Sequence, residues 1–130
     1  VNTIEMLIVP GSIDDVANLR ASLYINQFGI TTKLNALSTV ASGGTDFFTA
    51  GKQRIVEKGS TIGVHSWGGG TIPANDVPKN DPVHKKYLDF YNIVGIPEEF
   101  YWYTLEVATA DDMHIMTEDE IKTYNIRTSK

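Results

Sequence analysis

The chain has 130 residues, 42% apolar and 21% charged, which suits one globular domain with a hydrophobic core. Its formal net charge of −5 argues against nucleic acid as a partner, because a phosphate backbone selects basic faces. No apolar run reaches the roughly 20 residues of a membrane span, and the absence of cysteine excludes disulfides and thiol catalysis. We therefore predict a soluble protein. Because the sequence starts with Val1, both a cytoplasmic protein and an exported one that has lost its leader fit.

The first half of the chain alternates segments of strand and helix character. Apolar or β-branched stretches bounded by turn residues predict four strands, at residues 3–9, 31–37, 54–56 and 61–65. A helix is expected to begin around Ser12, and a second, short helix to run from Ser42 to about Gly51. The residues of the first helix expected to face the core are Ile13, Val16, Leu19 and Leu23. This order of elements implies right-handed crossovers and a mostly parallel sheet, in which ligands bind where strands end and helices begin.

The second half of the chain is predicted to be helical after a loop. Residues 68–80 have the composition of a loop that is long enough to serve as a lid or substrate wall. One helix is expected to begin at Asp81, another after Pro97, and a last short one at the capping box that Thr117 opens. The apolar positions of the first two are Val83, Tyr87, Phe90, Tyr91 and Val94, followed by Phe100, Tyr103 and Val107. No internal repeat or domain boundary is visible, so we predict a single domain over residues 1–130.

Ser42 stands between a predicted strand and a predicted helix, in the run VASGG. Its oxygen can cap the helix by accepting a backbone N–H, which is the more common role for a serine at this place. It can also act as a nucleophile, because the helix dipole favours developing negative charge and small neighbours admit a substrate carbonyl. The nucleophile elbow of the α/β hydrolases is not present, because that motif has Gly where this chain has Val40.

His65 lies at the end of the apolar run TIGVH. A serine nucleophile needs a base within hydrogen-bond reach, and histidine is the usual one because its pKa is close to neutrality. A single histidine at a strand end is more often structural. Because the helix after Ser42 ends near Gly51 and the chain then returns along the sheet, we expect the serine and the histidine at the same edge.

These segments resemble those of the ClpP-type serine peptidases in the ClpP/crotonase superfamily. Residues 40–51 resemble the nucleophile segment, and residues 59–66 resemble the histidine strand at a similar distance from the serine. The stretch 7–12, LIVPGS, is similar to the strand and turn that supply the oxyanion hole, and residues 115–126 are similar to the closing helix. The similarity is greatest to ClpP-like bacterial proteins that carry a Gly-Val-His-Ser-Trp run. It covers residues 3–67 and 110–126.

The resemblance implies an α/β fold of ClpP/crotonase type with βα units and C-terminal helices, and a serine hydrolase that cleaves peptides or esters without a cofactor. Ser42 would attack an acyl carbon, and His65 would take its proton and return it to the leaving group. The acid that orients the histidine falls at Asp112 or, alternatively, at Asp111, although either residue fits a surface turn as well. The ring-forming relatives imply a homo-oligomer.

The resemblance also places the oxyanion hole at the backbone N–H groups of Ser12 and Gly43. Position 12 is Ser where the family usually has Gly, and a capping-box Asp15 would reach toward the same N–H. ClpP-like domains usually begin with a further strand and helix before this turn. The chain is therefore expected to lack that upstream strand and helix, since it begins at Val1.

Two other interpretations remain open. The chain is either a crotonase-like acyl-CoA enzyme, which uses paired backbone donors without a serine nucleophile, or a non-catalytic ClpP-like domain kept for binding or assembly. A metal site is not expected, because His65, His84 and His114 are far apart in sequence and no H-E-x-x-H motif occurs. We expect His84 to be solvated. His114 is an alternative base, because it neighbours the two candidate acids.

Overall fold

In a computed structural model, which describes residues 2–68 and 71–128, the chain forms a mixed α/β fold with an open five-stranded sheet and helices. The strands are β1 (Thr3–Val9), β2 (Thr31–Ala41), β3 (Arg54–Val56), β4 (Thr61–Val64) and β5 (His114–Ile115). The helices are α1 (Asp15–Gln27), α2 (Gly43–Thr49), α3 (Lys85–Val94), α4 (Glu98–Val107) and α5 (Glu118–Thr123). Short 3₁₀ turns occur at Ala74–Asp76 and Pro82–His84. None of the helices in these two ranges is long and apolar enough to cross a bilayer.

The sheet is organised around β2, its longest strand. β1 pairs with β2 in parallel along one edge, while β3 and β4 pair in parallel with successive parts of the other edge. β4 then pairs with β5 in the antiparallel direction. The end of β2 is thus adjacent to the end of β4, which is the arrangement that places the segments following the two strands at one edge of the sheet.

β2 continues to Ala41, beyond its predicted end, because an irregularity is accommodated within it. The pairing with β1 shifts register between Met6 and Ile8. At this point the buried hydroxyl of Ser38 donates to the carbonyl of Met6 at 2.5 Å and accepts from the N–H of Asn35 at 2.8 Å. The Ser38 side chain therefore supplies hydrogen bonds that the regular ladder lacks here, and the strand continues to Ala41.

α1 starts slightly later than predicted and buries less of its apolar face. Its N-cap is Asp14, whose carboxylate accepts a backbone N–H of the first turn. Leu19 is buried as expected, but the prediction was wrong for Ile13 and Val16, which are exposed. Ile13 precedes the helix and so does not share its periodicity. The buried position beside Leu19 is instead Ser22, whose hydroxyl is satisfied by a carbonyl within the helix.

Aromatic side chains of α3 and α4 fill much of the core. Four positions of the predicted stripe, Tyr87, Phe90, Tyr91 and Val94, are buried in α3, whereas Val83 lies in the preceding 3₁₀ turn and is half-buried. The prediction that His84 is solvated was wrong, because only 1% of it is exposed. Its Nδ1 lies 2.7 Å from the hydroxyl of Tyr101, and its ring packs edge-on against Trp102. The hydrogen bond satisfies the buried imidazole, which allows His84 to be buried. The charged residue Lys85 next to it in the sequence therefore does not indicate that His84 is exposed.

Arg54 at the start of β3 is buried and joins distant parts of the chain. Its guanidinium donates to the carbonyls of Asn125 and Ile126, both at 2.7 Å. It also donates to the carbonyls of Thr49, the last residue of α2, and Gly51. Burial lowers the pKa of the guanidinium, but four carbonyl partners compensate for the lost hydration. The position of α2 is therefore coupled to the segment that follows α5.

Candidate active site

Ser42 occupies the junction between β2 and α2 in a strained backbone conformation. Its φ of 55° and ψ of −122° lie in a region that side-chain-bearing residues rarely adopt. The Ser42 side chain forms no capping hydrogen bond with α2. The common role of a serine at a helix start is therefore not the one that this side chain performs, and its hydroxyl is free for another partner.

Glycines after the serine allow α2 to start against the end of β1. A Cβ added to Gly44 would lie 2.1 Å from the carbonyl oxygen of Val9, and one added to Gly43 would lie 2.5 Å from the Oγ of Ser12. Any larger side chain would force the helix start away from the turn that follows β1. The sequence VASGG thus places Ser42 directly beside that turn.

The carbonyl of Gly63 fixes the serine turn to the histidine strand. It accepts the backbone N–H of Ser42 at 3.3 Å and the hydroxyl of Thr45 at 2.7 Å. In the parallel pairing of β2 with β4, Ala41 is opposite Gly63. Ser42 and His65 therefore emerge from neighbouring parallel strands at the same edge, as the sequence predicts, and both line one cavity.

The His65 ring is half-buried and has its orientation set by a backbone carbonyl. Its Nδ1 lies 2.7 Å from the carbonyl oxygen of Ser66. A carbonyl only accepts hydrogen bonds, so Nδ1 carries the proton and the Nε2 of the neutral ring has a free lone pair. This is the tautomer that a general base requires. Within residues 2–68 and 71–128, however, no hydrogen bond joins His65 to Ser42.

The predicted oxyanion donors lie close to each other. A Cβ on Gly43 would lie 3.0 Å from the backbone nitrogen of Ser12, so the two peptide groups are adjacent. Neither N–H donates to another group in the described part of the chain. The carboxylate of Asp15 accepts the hydroxyl of Ser12 at 3.2 Å, and it leaves the N–H of that residue free. The conflict expected from a capping box at this turn does not arise, since Asp14 is the cap.

The two candidate acids lie away from the cavity. Asp112 is exposed, and its carboxylate accepts the backbone N–H of Met113 at 2.8 Å. Asp111 is also exposed and lines a separate groove. The structure thus brings Ser42 and His65 together without either acid, and the partner of the imidazole Nδ1 is the backbone carbonyl already described.

His114, the alternative base, is placed outside the cavity as well. Its Nε2 lies 2.8 Å from a carboxylate oxygen of Glu120, which is the residue that completes the capping box of α5 with Thr117. The His114 ring therefore belongs to the packing of β5 on α5. Over the described ranges, no group of three or more histidine, aspartate or glutamate residues is arranged to hold a metal ion.

The cavity is small, about 40 Å³, and is lined by polar and aromatic side chains from five elements and their connections. Its lining residues are Asp15, Ser42, Thr45, Asp46, Val64, His65, Trp67, Tyr87, Tyr91, Phe100, Tyr101 and Thr104. The predicted aromatic helices contribute Tyr87, Tyr91, Phe100 and Tyr101 to the cavity, whereas the predicted substrate wall at residues 68–80 provides no lining residue in its described part. The two aspartates were not anticipated, because the sequence places each of them in the first turn of a helix, where an acid usually interacts with the dipole.

Asp46 is the most perturbed acid in the cavity. Burial raises its pKa to about 7, the hydrogen bond from Tyr91 opposes this rise, and the charge of Asp15 adds to it. The Tyr91 hydroxyl donates to Asp46 Oδ1 at 2.5 Å, and the Tyr87 hydroxyl donates to Asp15 at 2.8 Å. A sequence signal for Asp46 exists in its spacing, since a residue four positions after Ser42 lies on the same face of α2.

The hydroxyl of Tyr101 connects the cavity to the buried side of the loop. It accepts the indole N–H of Trp67 at 2.8 Å and bonds to Nδ1 of His84 at 2.7 Å. The Nε2 of His84 faces the carbonyl of Val77 at 3.4 Å, and a carbonyl can only accept, so Nε2 carries the proton of the neutral ring and Nδ1 accepts the hydroxyl of Tyr101. Burial raises the pKa of Tyr101 to about 12, so it remains a neutral hydroxyl in this chain of hydrogen bonds.

Comparison with known proteins assigns no function to this cavity. No protein-family model matches the chain, and no curated protein matches its sequence. The resemblance to ClpP-type peptidases therefore stays a prediction from the segments around Ser42 and His65, and a function has to be argued from the geometry of the site.

Proposed function

We propose that the chain is a serine hydrolase of the ClpP/crotonase type, acting on a peptide or ester bond. The observation that carries the proposal is the state of Ser42, which is strained, uncapped and in the same cavity as His65. Backbone strain of this kind is found at functional sites, where the surrounding structure maintains it. The mostly parallel sheet of that fold is supported by the parallel pairing of β2 with β1, β3 and β4.

In the proposed reaction, His65 Nε2 takes the hydroxyl proton as Ser42 Oγ forms a bond to the acyl carbon. The carbonyl oxygen becomes an oxyanion that accepts the N–H groups of Ser12 and Gly43. When this intermediate collapses, the bond to the leaving group breaks, and the leaving group receives the proton from Nε2. Water then attacks the acyl-enzyme by the same steps in reverse. Each oxyanion donor contributes about 3 kcal/mol to the stability of the transition state.

For the orientation of the imidazole, we propose that the carbonyl of Ser66 performs the role of the triad acid. It already bonds to Nδ1 of His65 at 2.7 Å. On this basis, Asp112→Asn and Asp111→Asn should each leave the rate of serine modification within about twofold of wild type. A working Ser-His-Asp triad predicts instead a loss of up to about 10⁴-fold when its acid becomes an amide. The two variants therefore decide which group orients the base.

A fluorophosphonate probe tests the nucleophile directly, because it modifies activated serines without the need for a known substrate. We expect one covalent adduct at Ser42 by mass spectrometry, no adduct in Ser42→Ala, and much slower modification in His65→Ala. The matched control is His114→Ala, which removes a histidine outside the cavity and should not slow the reaction. A folded wild-type protein that acquires no adduct would refute the proposal. If His114→Ala abolished the reaction and His65→Ala did not, the base would be misassigned.

A non-catalytic binding domain is the second candidate, favoured by the absence of a Ser42–His65 hydrogen bond among the described residues. In that case the probe would leave the protein unmodified.

We also propose that the chain forms a homo-oligomer, since Leu7 and Ile8 on the edge strand β1 are exposed by 58% and 75%. Light scattering on the purified protein should give a mass above that of one chain, and a monomer at micromolar concentration would contradict this.

A further inference from the structure

The cavity beside Ser42 contains two carboxylates without a lysine or arginine partner. Asp15 and Asp46 both line it, and its one basic lining residue, His65, makes its described hydrogen bond to the carbonyl of Ser66. Their only described side-chain partners are neutral hydroxyl groups, from Tyr87 and Ser12 for one and from Tyr91 for the other. A carboxylate that is largely buried is usually paired with a cation, and Asp46 has no such partner among the described residues.

Asp46 presents one oxygen to the cavity. Its Oδ1 accepts the hydroxyl of Tyr91, whereas its Oδ2 takes no hydrogen bond from the described residues. Among those residues, only the hydroxyl of Tyr103 is both fully buried and without a partner. Asp46 is half-buried and lines the cavity, so its second oxygen is left accessible there. This oxygen can accept a charge-assisted hydrogen bond from a ligand.

The other walls are largely aromatic and include no lysine or arginine. Tyr87 stacks between Trp67 and Tyr101, with ring planes inclined by 11° and 15°, so three of the lining rings form one stack. The nearby ammonium of Lys86 lies 5.1 Å from the Tyr87 ring centroid but does not line the cavity. With about 40 Å³, the cavity has room for roughly three water-sized groups, enough for an ammonium on a short alkyl chain.

We propose that this cavity selects an acyl substrate that carries a primary ammonium group, which binds to Asp46 and Asp15 while its acyl carbon is presented to Ser42. That the ligand is a substrate rests on the proposed hydrolase function. That the ammonium group binds in the cavity rests on the cavity alone. A bound ammonium would lower the pKa of Asp46, which burial raises to about 7, because the cation would stabilise the ionised carboxylate.

The test compares propylammonium with 1-propanol, which has similar size and no charge, by NMR titration near pH 8. We expect propylammonium to shift the resonances of cavity residues and to bind at least about tenfold more tightly than propanol. Asp46→Asn, which keeps the shape and the acceptor for Tyr91, should weaken propylammonium at least about tenfold. Asp15→Asn gives the same test if that variant does not fold. Asp89→Asn is the control, because this exposed acid pairs with Lys85 outside the cavity and should leave binding within about twofold.

Propanol binding as tight as propylammonium, or unchanged propylammonium binding in Asp46→Asn and Asp15→Asn, would overturn the cation site. The fluorophosphonate reaction separates this result from failure of the hydrolase proposal. Propylammonium should slow modification of Ser42 in the wild type and not in Asp46→Asn. Modification without propylammonium binding keeps the hydrolase and refutes the ammonium selectivity. Binding without any modification refutes the substrate assignment and keeps a cation-binding cavity.

Discussion

The unfolding free energies of Ser42 variants distinguish two roles of this residue, a position of backbone strain and a helix cap. The residue has φ 55° and no capping bond, so a side chain here costs about 1–3 kcal/mol of backbone strain. Ser42→Gly relieves that strain but adds about 0.5–1 kcal/mol of chain entropy to the unfolded state. The expected net effect is a gain of about 1 kcal/mol, or roughly 4 °C in Tm. Ser42→Ala keeps the Cβ and should change stability by less than about 0.5 kcal/mol.

The assay is urea unfolding of the three proteins, with Thr117→Ala as a reference for a true cap. Thr117 accepts the N–H of Glu120 in a complete capping box, so its loss should cost about 1 kcal/mol. If Ser42→Ala were as destabilising as Thr117→Ala, and Ser42→Gly were no more stable than wild type, the serine would be a cap. The backbone conformation of Ser42 would then not indicate a functional site, whatever the outcome of chemical modification.

Asp46, Arg54 and Gly44 each lead to a further prediction. Burial raises the pKa of Asp46 to about 7, so between about pH 4 and pH 7 the folded protein holds a proton that the unfolded chain has released. Stability should therefore fall as the pH rises through this range, and Asp46→Asn should flatten the fall in urea unfolding at several pH values. Arg54→Met should cost about 3 kcal/mol, because four carbonyls lose their donor. Gly44→Ala should cost more than about 2 kcal/mol and slow serine modification, since its Cβ would lie 2.1 Å from the Val9 carbonyl oxygen.

Control variants provide the reference against which these stability changes are judged. Arg20→Met removes an exposed arginine and should change stability by less than about 0.5 kcal/mol. Gly29→Ala places a Cβ in open space at φ 68°, so its cost of about 1 kcal/mol measures backbone strain without a clash. A Gly44→Ala cost no greater than that of Gly29→Ala would contradict the steric argument. A pH profile unchanged in Asp46→Asn would mean that this carboxyl is not the group that titrates.

The local pattern of the sequence was sufficient for the elements that carry the candidate nucleophile and base. α2 begins after Ser42 as expected, and β4 ends at Val64, one residue before the predicted end at His65, because glycine and strand signals there agree with the fold. The capping box at Thr117 was also predicted and is complete. β5 was not predicted, since two residues are too few to show any periodicity and their pairing depends on β4.

Contacts between segments that are distant in the chain could not be predicted from the sequence. His84 looked solvated beside its charged neighbours, yet its burial depends on Tyr101, 17 positions away. Asp46 and Asp15 meet in one cavity only because α1 and α2 pack on the same side of the site. The partner of His65 Nδ1 is the backbone carbonyl of Ser66. Every residue has such a carbonyl, so the residue types in the sequence do not predict this contact.

The buried Arg54 has a consequence for the order in which the molecule can be completed during synthesis. Two of its four carbonyl partners belong to Asn125 and Ile126, which are translated long after the serine segment. Until those residues emerge from the ribosome, the guanidinium of Arg54, which donates to the carbonyl of Thr49 at the end of α2, lacks half of its acceptors. A nascent chain that already contains Ser42 and His65 but not yet Asn125 and Ile126 thus lacks two of the contacts that fix the end of α2, and we expect this helix to become stable late in translation.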